Sequence, residues 1–248
     1  MKLKTNSEIN IMKECGSIST YALNEVLKHV HPGITLLELD RIAEKAIISK
    51  GGSPSFKTVD DYAFTTCINV NDGIVHGLPN NYKIKTGDLV SIDLGALYKG
   101  LHTDLSYTVE VGTLKEEKFL NVGIEALRSA IANCKPGNPM GFVSNTIQKM
   151  VEKWGYTVSR ELVGHGVGHE LHEDPLVPGY GKLTTGPKLQ EGMTLAIEVI
   201  YQKGSPKLKI DSDGWTIKTA DGSLSALFEA TVAITKDGPL ILTHFPML

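Results

Sequence analysis

The sequence has no apolar run near the roughly 20 residues needed to cross a bilayer. Its first eight residues, Met-Lys-Leu-Lys-Thr-Asn-Ser-Glu, lack the apolar segment of a secretory signal. It has only three cysteines (Cys15, Cys67 and Cys134), which are widely spaced and form no CxxC pair. That pattern excludes a disulfide framework and a zinc knuckle and is typical of a reducing compartment. We therefore expect a cytoplasmic protein without membrane association.

The sequence also lacks a strong excess of one charge. Its formal net charge is −3, and no run of lysine and arginine offers a track for phosphates. Nucleic acid is therefore not an expected partner. Hydrophobic residues make up 41% of the 248 residues and charged residues 21%, which is ordinary for a soluble globular protein. The chain is long enough to bury one large core.

The sequence contains the same order of helical and strand-like segments twice. Pro32-Gly33 and Pro136-Gly137 lie 104 residues apart, and so do Gly51 and Gly155. In each half, two segments with helical spacing of apolar residues precede segments rich in β-branched residues. The predicted helices are residues 7–31, 35–50, 115–133 and 140–154, and the predicted strands are residues 65–70, 89–94, 105–111, 157–162, 194–200 and 228–234.

Two copies of so long a unit do not indicate a solenoid, which would show shorter and more numerous repeats. No linker rich in proline, glycine or serine separates the halves. We therefore predict a single catalytic domain over residues 1–248. Its fold class is α/β (α+β), with pseudo-twofold helix-helix-strand halves around a central antiparallel sheet.

Each half carries acids at matching strand positions. Residues 87–93, Gly-Asp-Leu-Val-Ser-Ile-Asp, resemble residues 192–198, Gly-Met-Thr-Leu-Ala-Ile-Glu, and strand alternation directs Asp93 and Glu198 away from their apolar neighbours. A second acid follows in each half, Asp104 or Glu229. Because acids are disfavoured in strands, four in duplicated register favour one shared site over four separate solvent-facing positions. Two divalent cations would balance their charge.

A glycine-rich segment adds three histidines, His165, His169 and His172. It lacks the HExxH pattern of a zinc helix, and each of its glycines would cost a helix about 1 kcal/mol. An extended strand or turn is therefore predicted, and alternation then keeps the three histidines from sharing one site. We predict His165 as a metal ligand, His172 as a substrate contact and His169 as a surface residue. Carboxylates with one imidazole suit Mn²⁺, Fe²⁺, Co²⁺ or Zn²⁺ in a two-metal hydrolase whose nucleophile is a bridging hydroxide.

The order and spacing of the motifs resemble the type I methionine aminopeptidases of the pita-bread metallopeptidase superfamily, from end to end of the chain. Aminopeptidase P and prolidase belong to the same superfamily. The motifs that carry the resemblance are Asn71-Asp-Gly-Ile-Val-His76-Gly-Leu-Pro79, Ser91-Ile-Asp93, Thr103-Asp104, Gly164-His165-Gly-Val-Gly, His172-Glu173, Ala196-Ile-Glu198, Glu229-Ala-Thr-Val, Asp213-Gly214-Trp215 and Thr235-Lys-Asp-Gly-Pro.

The resemblance implies a pita-bread fold and two divalent metal ions (Co, Mn, Fe or Zn), with Asp104 and Glu229 bridging both. The implied metal ligands are Asp93, Asp104, His165, Glu198 and Glu229. It also implies catalytic roles for His76, His172 and Glu198. His172 would stabilise the oxyanion and His76 would contact the scissile amide, while Glu198 would shuttle protons. Substrate-binding residues would be these two histidines and an apolar methionine pocket formed by Tyr62, Cys67, Leu171 and Trp215; for Cys67 and Leu171 a core role is an equal alternative.

The implied activity is removal of the initiator methionine from nascent proteins and peptides, with a preference for a small second residue. The implied partners are nascent polypeptide N-termini, with proximity to the ribosome left open, and we expect a monomer. Three departures from the family pattern leave every ligand in place but leave fine specificity open. They are Val199 in place of the usual Pro, Ala230 in place of the usual His, and residues 59–64 in place of Gly-aromatic-Pro.

Two alternatives remain. An X-Pro peptidase of the same superfamily would keep all five ligands, although such enzymes usually carry an additional N-terminal domain. A non-catalytic pita-bread protein would serve as a binding module, although such proteins typically lose metal ligands.

Overall fold

The computed structural model describes residues 2–245. The α-helices in that range are α1 (Asn6–Lys28), α2 (Leu36–Ser49), α3 (Glu117–Ala132) and α4 (Gly141–Glu152), and a short 3₁₀ helix spans Phe56–Thr58. The strands are β1 (Ser53–Pro54), β2 (Thr66–Val70), β3 (Gly73–Val75), β4 (Leu89–Tyr98), β5 (Leu101–Glu110), β6 (Thr157–Val158), β7 (Val163–Gly166), β8 (Glu173–Pro178), β9 (Thr194–Gln202), β10 (Leu208–Ile210), β11 (Ile217–Thr219), β12 (Ser225–Thr235) and β13 (Gly238–Ile241).

Both helices of the first half begin at a reciprocal capping box. The Thr35 side chain accepts a hydrogen bond from the Glu38 backbone N–H, and the Glu38 carboxylate accepts one from the Thr35 backbone N–H. Thr5 and Glu8 make the same exchange at α1. Each box satisfies N–H groups that the first turn of a helix leaves without partners. The predicted start of α2 is therefore confirmed, and the box at α1 was not predicted.

The helices of the second half begin without a side-chain cap. Ahead of α3, the Glu110 carboxylate instead accepts hydrogen bonds from the backbone N–H groups of Lys115 and Glu116. The buried faces of α3 and α4 are apolar and pack into the main core. Burial of these faces, rather than local capping, holds the two helices in place.

The central sheet is antiparallel at every strand pair and is built from both halves. Its order is β1-β4-β5-β12-β9-β7-β8, with β2 beside β4, β6 beside β9 and β13 beside β12. The pair β4-β5 of the first half meets the pair β12-β9 of the second at β5-β12. This arrangement confirms the predicted pseudo-twofold plan. A smaller sheet has the order β10-β11-β3.

Strand alternation separates the two faces of the central sheet. Val90 and Ile92 of β4, with Leu195 and Ile197 of β9, are fully buried in the main core beneath the helices. Asp93 and Glu198, which directly follow Ile92 and Ile197, therefore point to the opposite face.

The strand predicted at residues 157–162 is wrong beyond its first two residues. Only Thr157–Val158 pair with β9, and a new strand begins at Val163. The Ser159 backbone N–H bonds to Ile200 and its hydroxyl accepts the N–H of Leu162, so a side-chain turn replaces the ladder there. Among residues 2–245, no helix is both long enough and apolar enough to span a bilayer.

Candidate active site

One row of side chains crosses five strands on the face of the sheet opposite the main core. Residues directly opposite each other in antiparallel strands point to the same face. The register pairs Cys67 with Asp93, Asp93 with Ser106, Ser106 with Glu229, and Glu229 with Glu198. Three of the four predicted acidic ligands thus lie side by side, although they are far apart in the sequence.

A second row lies two residues along the same strands. It contains Asp104, two residues before Ser106, and His165, which pairs with Ala196, two residues before Glu198. Thr231 lies between them and fixes Asp104, because its hydroxyl accepts the Asp104 backbone N–H at 2.8 Å and donates to the Asp104 carbonyl. The alternation of the strands therefore delivers all five predicted ligands to one patch.

Their ligand atoms are close together. One oxygen each from Asp104 and Glu229 and one ring nitrogen of His165 lie within 4.8 Å of one another. His165 Nε2 is also 3.8 Å from Asp104 Oδ2 and 3.6 Å from Glu198 Oε1. Among the residues that the structure describes, Asp104, His165 and Glu229 form a group able to hold a metal ion.

Burial and mutual repulsion make ionisation of the four acids costly in the absence of a cation. Burial raises the pKa of Asp104 to about 7, although the N–H of Leu105 partly counters it. The pKa values of Asp93, Glu198 and Glu229 are raised well above their usual range by burial and by the negative charge of Asp104. Such a group of buried acids is stable as carboxylates only beside positive charge.

His165 presents a lone pair to this group. Its Nδ1 lies 2.8 Å from the carbonyl oxygen of Gly166, which can only accept, so the proton is on Nδ1 and Nε2 is free to bind a metal. Burial lowers the pKa of His165 to about 4 and keeps the ring neutral. A carbonyl behind the ring is a common way to orient a metal-binding histidine.

The residues fit a metal centre. Asp93 Oδ1 and Glu229 Oε1 are buried side-chain oxygens without a hydrogen-bond partner. Buried carboxylate oxygens are otherwise satisfied in proteins, and coordination to a cation is one way to satisfy them. The donor set is hard and oxygen-rich with one imidazole, which suits first-row divalent ions.

A cavity of about 340 Å³ opens above the two rows. All the predicted site residues line it. His76 and His172 stand at its open side, and burial is the main cause that lowers the pKa of both rings. The His172 ring packs edge-on against the His165 ring, with centroids 4.5 Å apart. His76 has a φ of 57°, a left-handed conformation that turns the chain sharply after β3.

The apolar end of the cavity consists of the four predicted pocket residues. Tyr62, Cys67 and Leu171 form a separate buried cluster with Phe56, and Trp215 packs against it. The Tyr62 and Trp215 rings meet edge to face at 5.1 Å, and the Tyr62 hydroxyl donates to the Thr66 carbonyl. These residues are therefore both packed with one another and exposed to the cavity, so the core and pocket roles are not exclusive.

The sequence interpretation missed several lining residues. Ile200 lies two residues after Glu198 and faces the same cavity, so alternation could have revealed it. Phe56 comes from the short 3₁₀ helix, and Glu161 and Leu162 come from a loop; none of the three carried a signal in the sequence. Val199 and Ala230, where the chain departs from the family pattern, are fully buried strand residues, and Val59 from the third departure lines the cavity.

His169 does not line the cavity, in agreement with its predicted separation from His165. It is, however, a surface residue that contacts the amino-terminal part of the chain. Its side chain is 34% exposed, and Nε2 lies 3.2 Å from Glu8 Oε1 of the α1 capping box. The amino-terminal segment covers this part of the glycine-rich stretch, which alternation alone could not predict.

Known proteins share this architecture. Residues 10–236 match metallopeptidase family M24. The chain is 45% identical over 243 residues to a methionine aminopeptidase of Clostridium perfringens, an alignment covering 97% of this chain and 98% of the relative. A methionine aminopeptidase structure from Thermotoga maritima matches with a TM-score of 0.96 at 43% identity, covering 99% of this chain and 100% of the other. A prolidase from Pyrococcus furiosus matches with a TM-score of 0.80 at 26% identity, covering 98% of this chain and 65% of the prolidase.

The duplicated sheet with its acidic face defines a metallopeptidase, and the chain belongs to metallopeptidase family M24 and has its pita-bread fold. Within that family it is a methionine aminopeptidase. Membership of this family implies a divalent metal cofactor.

Proposed function

We propose that this chain removes the initiator methionine from nascent polypeptides whose second residue is small, using two divalent metal ions. One observation carries the proposal: the two acidic rows and an apolar slot open into the same cavity. A substrate held in that slot by its first side chain would present its first peptide bond to the acids. We further propose that the enzyme acts as a cytoplasmic monomer.

Asp93, Asp104, His165, Glu198 and Glu229 would hold the ions. The proximity of Asp104 and Glu229 to His165 supports a site shared by these three residues. Asp93 and Glu198 lie in the same row as Glu229 and would supply further carboxylates. Bound there, a pair of divalent ions would supply a strong nucleophile from water at neutral pH and would polarise the scissile carbonyl. The donor set is compatible with Co, Mn, Fe or Zn.

The remaining polar residues would orient the substrate and move protons. Glu198 is the least buried of the four acids, with 12% of its side chain exposed against 5% for Asp104, and so is the acid placed to accept a proton from the attacking water. His172, beside His165, would donate a hydrogen bond to the developing oxyanion. His76 would contact the amide nitrogen.

The slot would select the first residue of the substrate. Tyr62, Cys67, Leu171 and Trp215 give it an apolar wall, which an unbranched thioether can fill and a charged side chain cannot enter without losing hydration. An additional methylene changes such discrimination by only about 1–3 kcal/mol, so norleucine should be accepted in place of methionine. The second residue must fit between the acids and His76, which favours Gly, Ala and Ser.

A peptide series tests the substrate class. Met-X-Ser peptides should show kcat/KM values far higher for Ala at X than for Leu, Lys or Phe. Equal values for Ala and Phe would contradict the narrow site. Ala-Pro-Ser is the control for the X-Pro alternative, and its faster cleavage would move the assignment to that activity.

Removal of the metal tests the cofactor. Exhaustive chelation should abolish cleavage of Met-Ala-Ser, and Mn²⁺ or Co²⁺ should restore it. Titration of the metal-free protein should reach two ions per chain. Full activity in protein shown to be metal-free would refute the proposed mechanism.

A further inference from the structure

The segment ahead of α1 carries a lysine that is buried beside the active site. The Lys4 side chain has no exposed surface, and its Nζ lies 2.6 Å from Glu173 Oε2, whose side chain is 8% exposed. The backbone N–H of Lys4 also donates to the carbonyl of Gly192, just ahead of β9, at 2.7 Å. The amino-terminal segment is thus fixed at two points to the second half of the molecule.

Glu173 in turn closes the loop that carries His172. Its Oε1 accepts hydrogen bonds from the backbone N–H groups of His169, at 2.7 Å, and Glu170, at 3.3 Å. Burial works to raise the pKa of Glu173, but Lys4 and these N–H groups outweigh it and hold the pKa below its usual value. Glu173 is therefore a carboxylate whose side-chain hydrogen bonds, among the described residues, come from Lys4 and from the backbone of His169 and Glu170.

The loop is shaped to receive the lysine. A Cβ at Gly168 would lie 2.1 Å from Cε of Lys4, so glycine leaves the space that the lysine stem occupies. The Gly168 carbonyl accepts the backbone N–H of His102, which ties the same loop to β5. Glu8, from the α1 capping box, approaches His169 at the outer side of the loop.

A buried ion pair of this kind is weak evidence for stability, because the loss of hydration roughly cancels the attraction between the charges. What the pair does fix is position. His172 lies between Leu171, which lines the apolar slot, and Glu173, which is held by Lys4. Each Glu173 contact therefore restricts the backbone from which the His172 ring projects.

We propose that Lys4 and Glu173 are positioning residues that hold His172 over the scissile bond. The inference rests on the proposed role of His172 in oxyanion stabilisation. Removing Lys4 should leave the metal ligands in place, because among the described residues no side-chain hydrogen bond or ion pair joins any of them to Lys4 or Glu173. It should instead lower kcat while KM changes little, as happens when an interaction specific to the transition state is weakened.

The test is a double-mutant cycle on metal-loaded enzyme cleaving Met-Ala-Ser. K4M keeps the length of the side chain and removes its charge, and we expect kcat to fall about 10–100-fold, the range typical for loss of a partner that orients a catalytic ligand. In the H172A background the same K4M change should have no further effect on kcat, because the residue that it positions is absent. Metal content and Tm are measured for every variant.

The controls separate the possible failures. K28M removes the exposed Lys28–Glu25 ion pair, which has the same 2.6 Å distance, and should leave kcat unchanged. If K4M does not fold, the double variant K4M/E173Q carries the cycle, because it removes both buried charges and leaves neither of them unpaired. An equal loss of kcat from K4M in the wild-type and H172A backgrounds, or no loss in either, would overturn the positioning role. If H172A itself keeps full activity, the proposed role of His172 fails instead.

Discussion

The two halves of the molecule share a strand geometry but differ in what joins the strands. In the first half, β4 and β5 are connected by a two-residue turn, Lys99-Gly100, with both residues at positive φ. In the second half, residues 203–224 separate β9 from β12 and form the β10-β11 hairpin that carries Trp215. The duplicated strands therefore supply the acids, and the longer connection in the second half adds Trp215 to the wall of the substrate pocket.

The halves also differ in the side chains that they contribute. The first half gives two aspartates and the second gives two glutamates and His165. A glutamate reaches one methylene further than an aspartate from the same strand level. Asp104 from the first half, with Glu229 and His165 from the second, brings ligand atoms within 4.8 Å of one another.

The largest expected effect comes from the two acids at the centre of the sheet. Asp104→Asn in the first half and Glu229→Gln in the second should each lower kcat/KM by more than about 100-fold, because even a residue that merely orients a ligand costs 10–100-fold. Both should also bind fewer than two ions in a metal titration. If only one of the two substitutions lowers kcat/KM and the metal content, the two halves do not contribute equally to metal binding.

The acids should also make the stability of the metal-free protein depend on pH. Because the pKa of Asp104 is raised to about 7 in the folded state from 3.8, the folded state binds more protons, and stability falls as pH rises between about 4 and 7. Asp93, Glu198 and Glu229 act in the same direction and extend the loss to higher pH.

Thermal unfolding of metal-free wild type and D104N across pH 4–8 measures this contribution. The free energy of unfolding of D104N should exceed that of the wild type by an amount that grows up to about pH 7 and is constant above it. Where Asp104 alone titrates, the difference should grow by roughly 1.4 kcal/mol for each pH unit. Addition of Mn²⁺ should reverse the order, since the ion stabilises the wild-type acids. A constant difference between the two proteins at all pH values would contradict the raised pKa.

The contribution of residues 203–224, which join β9 to β12, can be tested separately from that of the strands. Trp215→Ala removes the edge-to-face contact with Tyr62 and part of the slot wall. We expect KM for Met-Ala-Ser to rise about tenfold, equivalent to about 1.4 kcal/mol, with kcat nearly unchanged. Ile210→Ala is the matched control, because Ile210 belongs to the same hairpin but is 68% exposed. A fall in kcat with unchanged KM would place Trp215 in the catalytic step.

Repetition explains how much the sequence could predict. The matching registers around Asp93 and Glu198 reveal the strand faces, because alternation is a local property of the chain. The capping-box spacing at Thr35 and Glu38 likewise marks the start of α2. The pairing of Glu229 with Glu198, and of Ser106 with both Asp93 and Glu229, depends on strand order, which the sequence indicates only through the duplication and the family resemblance.

What the sequence could not predict arises from contacts between distant segments. Lys4 reaches Glu173 across 169 positions of the chain, and no periodicity connects them. Phe56 reaches the cavity from the short 3₁₀ helix and Glu161 from a loop, and the positions of both segments are set by packing of the finished fold. The contact of His169 with Glu8 has the same origin, because the amino-terminal segment reaches it from a distant part of the chain.

The smallest expected effect concerns the helices, where the first half is capped by side chains and the second is not. Thr35→Ala removes the hydroxyl that accepts the Glu38 N–H, and loss of such a cap costs about 1 kcal/mol. Thr35→Ser keeps the hydroxyl and should retain nearly all the stability.

In α3, Glu116→Ala removes no cap, only a partly exposed ion pair with Lys203, so its cost should stay below about 1 kcal/mol. Urea unfolding of metal-loaded protein gives all three values on one scale. An equal loss for T35A and T35S would show that the box at α2 does not stabilise the first half, and the difference between the halves would then lie in the strand connections alone.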